Sequence, residues 1–297
     1  MDGAIIIDKP SGWTSHDVVN KVRRFAGTRK VGHLGTLDPS ATGVLPLVIG
    51  RATRLAQFYT HNEKTYEGTV RFGFSTDSYD AEGEPTSPVQ DVSVTAEQLD
   101  PILAQFRGRL SQMPPAISAK KIAGRPAYEL ARKNKPVELS PVDIEIYALD
   151  LLSIDGRDAR IRVHCSSGTY IRSIAHDIGQ ALGCGAHLTG LRRIRSGDFE
   201  IGHAHTLEAL AKLSEAGQFV DALIPAAQLL PAFPSEHVDA ITATHIHNGR
   251  TFSTSPFSNA TDARYVKALD SNGDLIAIGE ARMPHVYQPI LVLQSRL

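Results

Sequence analysis

The sequence has little of several features that define specialised classes of protein. Only two of its 297 residues are cysteine, too few for a disulfide framework or a structural zinc site. No stretch approaches the roughly twenty uninterrupted apolar residues of a membrane helix. The apolar run near the N-terminus is too short for a signal peptide and follows an acidic residue. These absences predict a soluble protein of a reducing compartment with no membrane contact, which we expect to be cytoplasmic.

The common signatures of cofactor chemistry are also missing. There is no GxxxxGK[ST] loop, and no GxGxxG follows a predicted strand. Five histidines are candidates for a metal site, namely His203 and His205, and His237, His245 and His247. No cysteine or acidic neighbour completes a ligand set around them. We therefore expect neither a nucleotide cofactor nor a metal.

An excess of positive charge is absent as well, since 31 Lys and Arg face 32 Asp and Glu. A protein that binds polyanions over its whole surface is usually basic. The cations are nevertheless concentrated in three runs, at residues 21–30, 118–135 and 190–195. Each run alone is typical of a solvated helix face. Together they leave open a second interpretation, a local surface that binds phosphate groups.

Hydrophobic periodicity predicts both strands and helices, and we expect an α+β protein. The three isoleucines at 5–7 indicate a strand, and Thr14 to Asp17 are N-cap candidates for a helix that stops at Gly27. Further strands are predicted at 44–49, 66–72, 142–154 and 160–165. Helices are predicted at 51–59, 95–106, 127–132, within 167–183 and over 206–230.

Composition divides the chain into two parts. The Pro-rich segment PAFPSEH at 231–237 interrupts the helical pattern, and Asn272-Gly273 between two apolar runs predicts a β-hairpin beyond it. We predict a catalytic domain at residues 1–235, with a basic, Pro-bounded insertion at about 112–142. A small β-rich module follows at 236–297.

The most informative segment is GHLGTLDPSATG, residues 32–43. It places one acid, Asp38, in a loop of glycines and small side chains, whose backbone allows a bulky substrate to approach closely. An aspartate followed by proline is also a common turn opener. On these residues alone, a purely structural role for Asp38 remains open.

The longer string GHLGTLDPSATGVLPL, residues 32–47, closely resembles the catalytic motif of the bacterial tRNA pseudouridine synthases that act on uridine-55 of the T loop, the TruB family. Four other segments are similar to further motifs of that family, in the same order: IIIDKPSG, KTYEGTVRFGFSTDSYDAEG, MPPAISAKKIAGRPAYELAR and SSGTYIRSIAHDIGQALGCGAHLTGLRR. The resemblance extends from the first strand to the end of the last of these segments. It implies the pseudouridine synthase fold, with a large mixed, mainly antiparallel sheet flanked by helices. The C-terminal unit resembles, more weakly, the PUA-type RNA-binding module.

The resemblance also implies roles for individual residues. Asp38 matches the nucleophile, Arg172 the arginine that pairs with it, and Asp80 the carboxylate that holds this arginine. Tyr66 matches the tyrosine that stacks on the target base, and it is the candidate general base. Without the family, Arg172 reads equally well as a helix-surface residue and Tyr66 as a core aromatic residue.

Other matches concern the binding of RNA. His33 matches a histidine that fills the space left by a flipped nucleotide, Tyr170 and Leu191 match residues lining the uracil pocket, and Lys9 is expected to support the site. Cations of the insertion are the candidate phosphate contacts, namely Lys120, Lys121, Arg125 and Arg132. His33 also fits an uncommitted loop residue, and Tyr170 and Leu191 also fit plain core positions.

The expected activity is the isomerisation of uridine-55 in tRNA by a monomer that needs no cofactor. Two alternatives from other classes remain open at this point. A catalytically silent RNA-binding protein would need the basic insertion but not Asp38. A hydrolase using Asp38 and Asp80 as a carboxylate pair would release base or sugar, whereas an isomerase conserves mass.

Overall fold

A computed structural model describes residues 1–115, 121–122, 125–126, 140–255 and 263–293. The helix predicted at 127–132 lies outside the described residues. So do the side chains of the four insertion cations, Lys120, Lys121, Arg125 and Arg132.

The described residues form seventeen strands and five α-helices. The strands are β1 (Gly3–Lys9), β2 (Val31–His33), β3 (Thr42–Ile49), β4 (Lys64–Phe72), β5 (Gly108–Gln112), β6 (Lys121–Ile122), β7 (Arg125–Pro126), β8 (Val142–Asp155), β9 (Asp158–Cys165), β10 (Ala186–Ser196), β11 (Phe199–Glu200), β12 (Ile224–Pro225), β13 (Ser235–His237), β14 (Phe252–Ser253), β15 (Tyr265–Leu269), β16 (Leu275–Met283) and β17 (Val286–Val292). The helices are α1 (Ser15–Phe25), α2 (Ala96–Gln105), α3 (Ile171–Ala181), α4 (Leu207–Glu215) and α5 (Ala240–His247).

A ten-stranded mixed sheet carries the larger part of the fold. Its strand order is β12-β1-β3-β10-β4-β9-β8-β5, with β2 on β3 and β11 on β10. Most neighbours are antiparallel, but β10 runs parallel to β3, with Arg193 opposite Gly43. Gly43 has φ +98°, and a Cβ there would lie 2.2 Å from the Arg193 carbonyl oxygen. Only glycine allows this close approach, which brings β10 beside the segment that contains Asp38.

Local sequence explains the elements that flank this region. Thr14 and Asp17 form a reciprocal capping box at the start of α1, and Val18, Val19 and Val22 point into the core. In β4 the alternate residues from Lys64 to Phe72 are buried, as expected for a strand with one face on the core. The period-two prediction for this strand is confirmed.

A five-stranded sheet of order β13-β15-β16-β17-β14 forms the C-terminal part. The hairpin predicted at Asn272-Gly273 joins β15 to β16. Residues of this sheet, including Leu275 and Ile278, share an apolar cluster with Ala4 and Leu55 of the larger part. The described structure therefore has the α+β fold and the small β-rich module that the sequence predicts. Residue 235 as the boundary between two functional domains stays a prediction.

Of two further helix predictions, one is confirmed and one is wrong in detail. The helix predicted at 51–59 is present, as the 3₁₀ helix Gly50–Tyr59. The segment 206–230 is not one helix, because α4 ends before Gly217 at φ +72° and is followed by 3₁₀ turns and by β12, which pairs with β1. In the part of the chain that is described, none of the helices is long and apolar enough to cross a membrane.

Candidate active site

The loop that carries Asp38 is held in place through its own backbone. Ser15 Oγ accepts a hydrogen bond from Leu37 N at 2.9 Å and donates to Leu37 O at 3.1 Å. The Lys9 ammonium, fully buried beneath the loop, donates to Pro39 O at 2.9 Å. The residues on both sides of Asp38 are therefore fixed, which limits where its carboxylate can lie.

Arg193 holds the same loop from the other side. This side chain is 1% exposed, and it donates from Nη2 to Gly35 O at 3.0 Å and from Nη1 to Thr36 O at 3.2 Å. Its Nε donates to Val44 O at 2.7 Å. One guanidinium thus joins the loop to β3, and its planar arrangement of donors suits three carbonyls at once.

These contacts correct one interpretation of the sequence. The run at 190–195 does not offer a free phosphate-binding surface at its centre, because Arg193 is buried and Arg192 forms a bidentate pair with Asp8 at 3.0 and 2.8 Å. Along β10, side chains alternate between the two faces of the sheet. Adjacent arginines therefore have different partners, which a count of charges does not reveal.

Asp38 forms an ion pair with a buried arginine. Arg172 Nε lies 3.1 Å from Asp38 Oδ2, and Arg172 Nη1 lies 3.2 Å from Asp80 Oδ2. Arg172 Nη1 also donates to Ser78 O at 3.1 Å. Asp80 Oδ1 in turn accepts from Ser78 Oγ at 2.5 Å and from Glu82 N at 3.1 Å. The three charged residues form an acid–guanidinium–acid row that brings together the ion pairs expected from the sequence.

Exposure separates the two acids of this row. The Asp38 side chain is 39% exposed, that of Asp80 is 13% exposed and that of Arg172 is 7% exposed. Asp38 is therefore the member of the row that solvent or a substrate can reach. Asp80 lies against Arg172 and orients it.

A cleft of about 470 Å³ opens in front of this row. Six residues predicted for the site line it: His33, Asp38, Tyr66, Tyr170, Arg172 and Leu191. Lys9 and Asp80 do not line this cleft. Asp80 contacts Arg172, which lines it, and Lys9 donates to Pro39 O, next to Asp38. The structure thus brings together the predicted residues whose side chains it describes, and the volume is adequate for a nucleotide-sized ligand.

Tyr66, a buried residue of β4, lines this cleft. Burial raises the pKa of Tyr66, and the nearby Arg193 guanidinium opposes this increase. The phenol is therefore neutral at physiological pH. A neutral tyrosine can stack and donate a hydrogen bond. It can accept a proton only after it has lost its own.

Tyr170 is oriented by an amide that the sequence analysis did not identify. Gln112, at the end of β5, accepts from Tyr170 N at 2.8 Å and donates to Tyr170 O at 2.9 Å. This two-bond clamp fixes the backbone immediately before α3. It therefore also fixes the first turn of that helix, which carries Arg172.

His33 lies at the other side of the cleft. Burial, and the cations Arg193 and His16, lower the pKa of His33, so its imidazole is neutral near pH 7. Its Nδ1 accepts from Gly35 N at 3.4 Å. The ring is thus an uncharged, partly buried plane at the cleft wall.

Lys64 lines the cleft, and the sequence analysis did not select it. It lies two positions before Tyr66 on the same buried face of β4. The signal was present in the sequence, because residues i and i+2 of a strand share a face. The candidate metal histidines receive no support, since among the described residues no three His, Cys, Asp or Glu side chains are grouped as metal ligands.

Two solved structures share the whole fold. The chain aligns over 99% of its length with the crystal structure of a Cbf5-Nop10-Gar1 complex, covering 84% of that chain, at a TM-score of 0.72 and 26% identity. The archaeal box H/ACA sRNP Nop10-Cbf5 complex aligns over 99% of this chain and 86% of that chain, at a TM-score of 0.70 and 26% identity. The fold is therefore of the class found in these Cbf5 complexes.

Sequence comparison narrows the class to a family. The profile described as TruB family pseudouridylate synthase (N terminal domain) matches residues 23–171, and that of the tRNA pseudouridylate synthase B C-terminal domain matches residues 172–230. The chain is 63% identical to tRNA pseudouridine synthase B of Solibacter usitatus over 99% of this chain and 100% of the relative. With the protein of the same name from Dechloromonas aromatica, identity is 44% over 94% of this chain and 91% of the relative. This chain belongs to the TruB family of pseudouridylate synthases.

Proposed function

We propose that the protein isomerises uridine-55 in the T loop of tRNA to pseudouridine, with Asp38 as the nucleophile. The observation that carries the proposal is the position of Asp38, whose carboxylate faces a nucleotide-sized cleft while Arg172 Nε holds it at 3.1 Å. The relatives named above are tRNA pseudouridine synthases, and the high identity over whole chains supports tRNA as the substrate.

The reaction needs no external source of energy. The bond between ribose C1′ and uracil N1 breaks, the base turns, and C1′ bonds to C5. The proton on C5 leaves and N1 gains one, so that atoms balance without a co-reactant. The protein has to supply a group that bonds to the electron-deficient fragment while the base turns, and a carboxylate can do so.

The ionised row explains how Asp38 stays reactive when substrate displaces water. A carboxylate taken out of water needs a cationic partner, and Arg172 provides it. Because Asp80 occupies the second side of the guanidinium, Arg172 cannot turn away from Asp38 without losing an ion pair at 3.2 Å. The row thus keeps the nucleophile charged and aimed at the cleft.

The other cleft residues receive supporting roles in the proposal. A base within the T loop must leave its stack to reach Asp38, and the neutral ring of His33 fills the vacated space. Tyr66 stacks on the extruded base; its neutral phenol gives its proton to N1 of the detached uracil, and the resulting phenolate then takes the C5 proton. Tyr170 and Leu191 form the remaining walls. Lys9 keeps the loop in shape through its bond to Pro39 O.

RNA of this kind is recognised by shape, by phosphate and by extruded bases. We assign the phosphate contacts outside the cleft to the insertion cations Lys120, Lys121, Arg125 and Arg132. The C-terminal sheet is the proposed PUA-like RNA-binding module. A monomer acting in the cytoplasm, without a cofactor, is part of the same proposal.

The row also argues against the hydrolase alternative. Asp38 and Asp80 contact one guanidinium, and both oxygens of Asp80 accept hydrogen bonds or ion pairs from protein groups. A glycosidase needs one carboxyl group that donates a proton and another that activates or replaces water. Asp80 is already committed to holding Arg172 and does not line the main cleft.

The test is to incubate the protein with unmodified tRNA transcript, without ATP or added metal, and to map pseudouridine by position. We expect product at uridine-55 with the wild type and none with Asp38→Asn, which should bind tRNA within a few-fold of the wild type because the change is isosteric. Asp150→Asn, which removes an exposed carboxylate on β8, is the matched control and should remain active. Release of free uracil would indicate a hydrolase, binding without product would indicate an RNA-binding protein, and a fully active Asp38→Asn would reject the mechanism.

A further inference from the structure

Two buried cations lie side by side in the cleft wall. Lys64 is 8% exposed and Arg193 is 1% exposed. Both approach Gly35, since a Cβ built there would lie 3.6 Å from Arg193 Nη1 and 3.8 Å from Lys64 Cε. Neither cation forms a salt bridge with an Asp or Glu of the described residues. A pair of like charges in this position is costly unless an anion joins it.

The two cations differ in how well the protein satisfies them. Arg193 donates to three backbone carbonyls. The Lys64 ammonium has three donors, and within the described structure one of them reaches an acceptor, Asn62 O at 2.6 Å. Lys64 lines the cleft. Two of its donors are therefore left for a ligand.

A comparison with Lys9 shows that burial alone does not produce this arrangement. Lys9 is also fully buried, but its ammonium donates to Pro10 O, Trp13 O and Pro39 O at 2.9, 2.6 and 2.9 Å. All three of its donors are used by the protein, and it does not line the cleft. The protein therefore satisfies the ammonium of Lys9 completely, whereas the ammonium of Lys64 can still donate to a ligand.

The electrostatics of Lys64 agree with this geometry. Burial, followed by the neighbouring Arg193, lowers the pKa of Lys64 to about 8. Cys165, below it, acts in the opposite direction, but burial keeps the pKa of that thiol at about 11. An anion placed at the ammonium would restore the charged form of Lys64.

We propose that Lys64, backed by Arg193, is an anion subsite that binds one backbone phosphate of the strand carrying the extruded nucleotide. The inference rests on the proposed function, because it takes RNA as the substrate. A phosphodiester is the permanent anion of such a substrate, and a compact ammonium binds it as a point charge. In this arrangement Asp38 faces the reacting sugar and base, and Lys64 binds a phosphate of the same strand.

The test compares binding of unmodified tRNA transcript to four proteins, all carrying Asp38→Asn to block turnover: this parent, and the parent with Lys64→Met, Lys64→Arg or Lys212→Met. Lys212→Met removes the same charge from the exposed face of α4, outside the cleft. Dissociation constants are measured at several salt concentrations. We expect Lys64→Met to weaken binding about tenfold at low salt and to reduce the salt slope by about 0.7 to 0.9, the loss of one phosphate contact. Lys64→Arg and Lys212→Met should keep the slope of the parent.

If the salt slope of Lys64→Met equals that of the parent, the proposal is overturned. This holds even if Lys64→Met lowers the turnover of the otherwise wild-type protein. If Lys64→Met does not fold, Lys64→Arg still decides the question. Between pH 7 and pH 9 the parent should lose tRNA affinity relative to Lys64→Arg, because Lys64 loses its proton in that range and an arginine does not. The neighbouring groups Cys165, Tyr66 and Arg193 have pKa values above this range or stay charged. If the tRNA affinities of the parent and of Lys64→Arg change with pH in parallel, the proposal is overturned. Pseudouridine formation by the wild type would then still support the proposed function, because the two tests are independent.

Discussion

The row of Asp38, Arg172 and Asp80 predicts that its two acids contribute differently to stability. The row carries two negative charges and one positive charge, so removal of either acid leaves a neutral pair. The Asp80 pair is nearly buried, whereas the Asp38 side chain is 39% exposed. Asp80→Asn should therefore destabilise the fold more than Asp38→Asn, although only Asp38 reaches the cleft.

The magnitudes follow from these exposures. Loss of one partner from a buried ion pair costs about 3–5 kcal/mol when it strands the other charge. Here Arg172 keeps Asp38, so we expect Asp80→Asn to lower the free energy of unfolding by about 2 kcal/mol. Asp38→Asn should change it by less than about 1 kcal/mol, as for an exposed pair.

The double variant is the sharper test, because it leaves the buried guanidinium with neither of these carboxylates. We expect Asp38→Asn/Asp80→Asn to lower the free energy of unfolding by about 2 kcal/mol more than the two single changes added together. Urea unfolding at pH 7, followed by circular dichroism, measures all four proteins of the cycle. Equal costs for the two single variants, or an additive double variant, would show that the two carboxylates do not share the buried guanidinium in this way.

Two further predictions concern Lys64 and Tyr66. Lys64→Met should raise the free energy of unfolding by about 2 kcal/mol at pH 7: a pKa of about 8 in place of 10.5 costs about 3 kcal/mol, and about 1 kcal/mol is lost with the bond to Asn62 O. Between pH 8 and 10.5 the unfolded wild type binds more protons than the folded form, so wild-type stability rises with pH and the advantage of Lys64→Met fades. Urea unfolding at pH 7 and pH 10 measures both values. Tyr66→Phe keeps the buried ring but removes its hydroxyl group. Single-turnover pseudouridine formation should therefore fall on the order of 100-fold, while tRNA affinity is retained.

Each of these changes has a control and a contradictory outcome. Lys212→Met should leave stability within about 0.5 kcal/mol of the wild type at both pH values, and an advantage of Lys64→Met that does not depend on pH would show that desolvation of the ammonium is not its cause. For Tyr66, the exposed Tyr147→Phe on β8 should retain the wild-type rate. A Tyr66→Phe rate close to that of the wild type would mean that Tyr66 does not take the C5 proton.

Much of the fold was predictable because local sequence and tertiary structure agree. The capping box at Thr14, the period-two pattern around Tyr66 and the Asn272-Gly273 turn each depend on neighbouring residues only. The 3₁₀ geometry of Gly50–Tyr59 and the interruption of 206–230 were not predictable in the same way. They are set by pairing and packing against distant strands, which periodicity does not record.

The sequence by itself determined the family, and it singled out Asp38, Arg172 and Asp80 as candidate site residues, because they belong to ordered motifs. Only the tertiary structure decided which groups each buried cation contacts. Arg193 was one cation of a basic run until the parallel pairing of β10 with β3 placed it under the Asp38 loop, and Lys64 was an unremarked strand residue until the cleft formed around it. Whether a charge meets water, a carbonyl or a substrate depends on contacts between residues far apart in the chain, and no local pattern contains that information.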